Sequence, residues 1–254
     1  MKIGEYLTMM NKLYRIFLIG LLISGCSKDT CKDVDRGVYI YPEKPSGITF
    51  LEALEFYKIP DNIVQCIYTD KLLQTCISYP EISLIWTRNS LQQGFDYVKK
   101  ICNGFGELLS RSDAYPAIVI AYKQLKIEGD WNTWTDLEIG HYMFNIIYHE
   151  LFLAQNEILK SLTKAQKLEL FQLALDNQKQ KFELRVEYYP ITGMESSLAI
   201  LSRIMYNDQY PPFMEEYSNR ELLRVHIDVI KILDSDLVDI ITNLSEEYLI
   251  MLKN

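Results

Sequence analysis

The chain is predicted to be all-α: a compact multi-helix array of roughly ten helices behind an N-terminal export signal. Three observations predict it. Apolar residues recur at helical spacing through most of the chain, as in Leu91, Phe95, Val98 and Ile101. Cap residues and prolines punctuate those runs, as at Ser90 with Gln93 three residues on. Few stretches show sustained strand alternation. Nearly half of the 254 residues are hydrophobic, enough for a sizeable core and too many for wholesale disorder.

The signal comes first. Lys12 and Arg15 lead an apolar run from Ile16 to Ser24, which closes on Ile23-Ser24-Gly25-Cys26. About nine apolar residues are too few for a span of ~20 but suit a signal core. An ordinary secretory signal would end on small residues in an A-x-A-like pattern. Ile23, Ser24 and Gly25 instead resemble a lipobox, with Ile23 in place of the usual Leu, before Cys26, the residue expected to be lipidated (palmitate is one such acyl chain) and to become the mature N-terminus. The plainer alternative is a short uncut apolar anchor. Glu5 is out of place in a cationic lead, so the expected true start is Met10.

Residues 26–48 read as the lipidated cysteine and a flexible tether, polar at first and then barred from helix by Pro42 and Pro45. The helical domain is expected over 49–254. The expected location is the bacterial cell envelope, as an outer-membrane lipoprotein. Lys28-Asp29 and Lys32-Asp33 leave periplasmic and surface-exposed placement equally open.

Within 49–254, Phe50, Leu51, Leu54 and Tyr57 start a helix that Pro60 stops, and Asp61 caps a short one to Tyr68. Thr69 or Asp70 caps another to Tyr79-Pro80, and a short piece runs from Glu81 to Trp86. Ser90 opens the next, with a joint at Gly104 and Gly106. Ser112-Asp113 precede a helix to Leu125, and Gly129 to Thr135 is a loop. Asp136 to Leu162 reads as one long helix, and Thr163 caps a second to Leu184. After a break at Tyr189–Gly193, helices follow over 195–206, from Pro211-Pro212, from a Ser218/Glu221 capping box to Leu233, and over 237–252.

Charge excludes one class of partner. The 26 basic residues less Lys2, Lys12 and Arg15, against 34 acidic residues less Glu5, leave 23 and 33 beyond Cys26, a net of −10. Nucleic acid is therefore not expected as a partner, since phosphate backbones need clustered Lys and Arg. Cys31, Cys66, Cys76 and Cys102 remain beside Cys26. No pair has C-x-x-C spacing, so metal is not expected. Disulfides are allowed outside the cytoplasm, with Cys66–Cys76 as one pairing, but Cys66, Cys76 and Cys102 sit among apolar neighbours where free buried cysteines fit equally well.

Catalytic signatures are incomplete. His149-Glu150 begins an H-E-x-x-H motif, but Leu153 occupies the second histidine position. Glu138 and His141 give half of a di-iron motif with no second copy. His141, Asn145 and His149 share a helix face, read as a polar stripe between helices. No nucleophile elbow, P-loop or Rossmann glycine pattern occurs. No cofactor and no catalytic residue is assigned. Trp131 and Trp134, with Asn132 and Thr133 between them, are the candidate ligand-contact aromatics, suited to stack on a sugar or clamp a peptide; the plainer reading is that they plug the base of the long helices.

Thr69–Pro80, Asn89–Phe95, Asn103–Ala114, Gly193–Ser197, Arg203–Tyr206 and Tyr210–Phe213 together resemble a family of all-helical secreted proteins and lipoproteins of anaerobic, Bacteroides-type gut bacteria. The resemblance implies a helical fold and an envelope location. It carries no activity and no catalytic residue. The expected partners are the lipid bilayer, through acylated Cys26, and a protein or glycan ligand. The expected role is binding or scaffolding, against the alternative of an envelope hydrolase whose site is assembled from distant residues.

Overall fold

The computed structural model describes residues 31, 32, 34–129 and 131–253. Ile23, Ser24, Gly25 and Cys26 lie outside the described residues. Thirteen α-helices and two 3-10 turns are present among those described, with no strand. Eleven of the α-helices have seven or more residues, in agreement with the expected array.

Local chemistry sets many helix starts. Helix α1 (Phe50–Phe56) opens on a capping box between Thr49 and Glu52. It buries Ala53 and Leu54 but leaves Phe50 and Leu51 at the surface, so its apolar pattern overstates its buried face. Helix α2 (Asp61–Val64) starts after Pro60, with Asp61 inside it rather than capping it. Helix α3 (Thr69–Ile77) likewise takes in Thr69, whose hydroxyl donates to the Asp113 carboxylate at 2.8 Å. A 3-10 turn (Ile82–Thr87) precedes α4 (Leu91–Ile101), and the Ser90 hydroxyl accepts from the Gln93 amide as its spacing predicts. The turn lies so close to α4 that a Cβ on Gly94 would sit 1.9 Å from the Ile85 carbonyl oxygen. Only glycine permits that approach.

The joint expected at Gly104 and Gly106 falls instead at Cys102. Helix α5 (Asn103–Ser110) includes both glycines, and the Asn103 side chain ties back to both backbone groups of Ile59. Helix α6 (Ala114–Lys123) and a second 3-10 turn (Trp131–Thr133) lead to α7 (Asp136–Leu153). The long helix expected to reach Leu162 breaks at Ala154. There the Arg203 guanidinium takes the Ala154 carbonyl at 2.9 Å, and a short α8 (Asn156–Leu159) follows. Helix α9 (Lys164–Glu183) opens on the Thr163–Gln166 capping box.

Helix α10 (Ile191–Asn207) is the centre of the molecule. Every residue from Gly193 to Met205 is buried, and the helix packs against α7, α9, α12 and the last helix. Helices α11 (Pro211–Asn219), α12 (Glu221–Val229) and α13 (Asp236–Lys253) complete the fold. The Ser218 capping box does not form. Ser218 lies in the last turn of α11 and its hydroxyl bonds back to the Met214 carbonyl, while α12 starts after Arg220. Helix α12 stops at Val229 because Ile230 turns left-handed, at φ 53°.

The chain expected to be a flexible tether up to residue 48 is fastened from Cys31 onward. Cys31 is bonded to Cys66, which replaces the Cys66–Cys76 pairing; Cys76 and Cys102 are free and buried. The Tyr39 amide donates to Thr75 Oγ1 at 2.9 Å. The Tyr41 ring meets Tyr39, Tyr57 and Tyr79 edge-on. Two tyrosines thus cover the core beside α3 without any helix of their own.

Two predictions follow from this architecture. The disulfide closes a loop of sequence separation 35, so chain entropy assigns it about 3–4 kcal/mol. Cys31→Ser should lower the unfolding free energy in urea by roughly that amount; an unchanged midpoint would show that the strap is not coupled to the fold. His226 is fully buried, and burial pushes its pKa down to about 4 from 6.5. The unfolded chain then takes up a proton that the folded chain refuses, so stability is full above pH 6.5 and is lost as pH falls towards 4. Between pH 7 and 4.5 wild type should lose about 2–3 kcal/mol more than His226→Gln. Equal losses in the two proteins would refute this assignment.

Candidate functional site: a polar groove beside a buried ion pair

The half-motif His149-Glu150 lies on α7 where its two side chains diverge. Glu150 points inward and is completely buried. Lys181 of α9, also completely buried, donates to Glu150 Oε1 at 2.7 Å and to Oε2 at 2.5 Å, and its third proton goes to the Gly193 carbonyl at 3.1 Å. Tyr122 of α6 donates to Oε1 at 2.6 Å, and Ser196 of α10 donates to Oε2 at 2.5 Å. All three ammonium protons and both carboxylate oxygens are therefore occupied. Burial pushes the Lys181 pKa down, opposed by the Glu150 charge. Burial pushes the Tyr122 phenol well up, and the Glu150 charge adds to that.

A serine, a lysine and a carboxylate in mutual contact resemble hydrolytic machinery, but this set has no access to substrate. Ser196, Lys181 and Glu150 each have zero exposure, and the serine hydroxyl is spent on the carboxylate. The cluster binds four helices together and does no acyl transfer in this arrangement.

His149 faces the other way. With Gln74 and Ile77 of α3, Gln124 just past α6, and Asn145 of α7, it lines a surface groove of about 310 Å³. Its Nδ1 lies 2.7 Å from the Asn145 carbonyl. A carbonyl only accepts, so Nδ1 carries the proton and Nε2 of the neutral ring is an acceptor, with no partner among the described residues. Burial pushes the His149 pKa down, which keeps the ring neutral. The Asn145 side-chain oxygen is buried without a hydrogen bond. The groove thus offers amides, an imidazole acceptor and the apolar walls of Leu73, Ile77 and Leu125. It suits a neutral ligand bearing hydroxyl or amide groups. His141 is exposed two turns away and does not join it. No group of three metal-ligating side chains occurs among the described residues.

The two candidate aromatics separate. Trp131 is only 6 % exposed, with its ring 4.2 Å from that of Tyr188. It plugs the loop against Tyr188 and Tyr189 and is not a ligand-contact surface, because its faces are already covered. Trp134 remains 38 % exposed, edge-on to Tyr142, without a second ring to form a clamp. The sequence signal for the groove was the polar stripe of Asn145 and His149. Gln74 and Gln124 carry no signal of their own, since isolated glutamines on helices are ordinary surface residues.

Removing one member of the buried pair strands the other. Lys181→Met should cost about 3–5 kcal/mol, whereas the double change Lys181→Met with Glu150→Leu should cost less than the lysine change alone. Urea unfolding of the single and double variants checks this; a double variant that loses the sum of both single changes would show that the pair is not coupled. No protein-family model, no curated protein and no solved structure matches this chain, so the resemblance read from Thr69–Pro80 and the other stretches stands on those residues alone.

Proposed function

We propose that the protein is a lipid-anchored, extracytoplasmic binding protein of the bacterial envelope that takes a neutral hydroxyl- or amide-bearing ligand, of the glycan or peptide type, in the His149 groove. The observation that carries the reading is a cysteine pair beside a lipobox. Cys26 ends the small-residue step Ile23-Ser24-Gly25, and the Cys31–Cys66 disulfide belongs in an oxidising compartment. The acidic balance of the chain fits attachment by acyl chains rather than by attraction to anionic lipid. No helix among the described residues is long and apolar enough to cross a membrane.

The disulfide also sets the stand-off. Only five residue steps separate Cys26 from Cys31, which span at most roughly 17 Å when extended. On this reading the helical body stands close to the bilayer, closer than a free 23-residue tether would hold it.

The test is thiol accounting combined with acyl labelling. Cells expressing the full chain are fed radiolabelled palmitate, and the purified, denatured protein is titrated with maleimide. The wild type should carry label and expose only Cys76 and Cys102. Cys26→Ala should lose the label. A labelled Cys26→Ala protein, or a wild type whose five cysteines all react, would overturn the assignment.

A further inference from the structure

A second concavity, of about 230 Å³, opens beside the N-terminal turns of α10. Its walls are Trp86, Arg88 and Ser90 on the connection into α4, Thr192 and Glu195 on the first turns of α10, and Lys231 on the loop after α12. Glu195 is 5 % exposed. Its Oε1 accepts the Ile232 amide at 2.7 Å, and its other oxygen has no partner among the described residues. Neither neighbouring cation pairs with it. Lys231 donates to the Asn89 carbonyl at 2.9 Å, and the Arg88 guanidinium lies 3.7 Å from the centre of the Tyr97 ring.

A nearly buried carboxyl beside two cations, yet bonded to neither, is an expensive arrangement to keep for stability alone. The loop whose Ile232 amide meets that carboxyl is costly as well. Ile230 is β-branched and left-handed at φ 53°, a conformation such residues rarely hold. That turn allows the Ile230 carbonyl to accept from Leu91 and the Ile232 amide to reach Glu195. Trp86 is fixed in turn by Tyr148, to whose hydroxyl its indole donates at 3.2 Å, and by the Phe144 ring. An acceptor-donor group, two cations and a fixed aromatic wall converge on one small space.

We propose that this pocket binds a small hydroxylated carboxylate of the sugar-acid class, with a ligand hydroxyl on the free oxygen of Glu195 and the ligand carboxylate towards Lys231 and Arg88. The volume lies below the ~300–1,000 Å³ of sites for drug-sized ligands, so a single ring is the unit that fits. Burial raises the Glu195 pKa to about 7, opposed by the Ile232 amide and the Lys231 charge. Near neutrality its carboxyl is therefore a hydrogen-bonding group without full negative charge, suited to a hydroxyl rather than to an ammonium ion. The site is separate from the His149 groove and holds whether or not Cys26 is acylated.

The proposal predicts a specific pH dependence. Above pH 7 Glu195 ionises and repels a bound carboxylate, so affinity falls as pH rises. The other charged groups at the pocket are Lys231 on the loop and Arg88 before α4. His226 of α12, pushed down to about 4, stays neutral over this range.

The test is calorimetric titration of the full chain in detergent with glucuronate, and with glucose and acetate as controls. Glucuronate should bind one per chain at pH 6 and about tenfold more weakly at pH 8, a shift equivalent to ~1.4 kcal/mol; the two controls should not saturate. Glu195→Gln, which keeps an acceptor for Ile232, should bind at both pH values without the tenfold change. Lys231→Met should weaken binding about tenfold at an unchanged melting temperature. The proposal is overturned if glucuronate fails to bind wild type at pH 6, if acetate binds equally well, if glucose does, or if Glu195→Gln retains the pH dependence.

Discussion

From Gly193 to Met205, helix α10 is buried on every side, and that constraint organises the rest of the molecule. A helix with no solvent face has nowhere to send its polar side chains. Glu195, Ser196, Ser197, Ser202 and Arg203 all lie in its buried span. Each needs a partner supplied by the fold. Ser196 is answered by Glu150 with Lys181, Ser197 by Gln178 of α9, and Glu195 by the Ile232 amide. The Glu150–Lys181 pair is best regarded as a registry device. Two apolar side chains of similar size would fill the space as well, but they would not oblige α6, α7, α9 and α10 to meet in one arrangement.

Arg203 applies the same logic at the other end of α10. Its guanidinium donates to the Ile227 carbonyl through Nε and Nη2, to the Ala154 carbonyl, and to Gln92. Ala154 ends α7, and Ile227 lies in the last turn of α12. One buried cation therefore meets the free carbonyls at two helix C-termini, where the helix dipole is negative. Burial depresses its pKa to about 10, which leaves it charged at neutral pH.

This rigidity reaches the surface through neighbouring residues. On α7, Glu150 turns into the ion pair while the preceding residue, His149, lines the groove. On α10, Ser196 turns into the same cluster while the preceding residue, Glu195, lines the pocket. The residues that line the two concavities are thus one backbone step from groups locked in the core, and they sit on helices rather than loops. The N-terminal strap is built differently. Its covalent bond and its tyrosines substitute for the helix packing that residues 34–48 cannot provide.

Short-range chemistry was legible in the sequence. The caps at Ser90 and Thr163, the helical periods and the all-α class depend on residues three or four apart. Long-range pairing was not. Nothing near Ala154 announces a helix end, because the group that ends it is Arg203, 49 residues away. Cys31 finds Cys66 only because the strap lies against the body, and Glu150 reads as half of a failed metal motif until Lys181 stands beside it. Glu195 resembles any helical glutamate in sequence. Its burial, its free oxygen and the neighbouring cations that do not pair with it arise from how α10 meets the loop after α12, which tertiary packing alone decides.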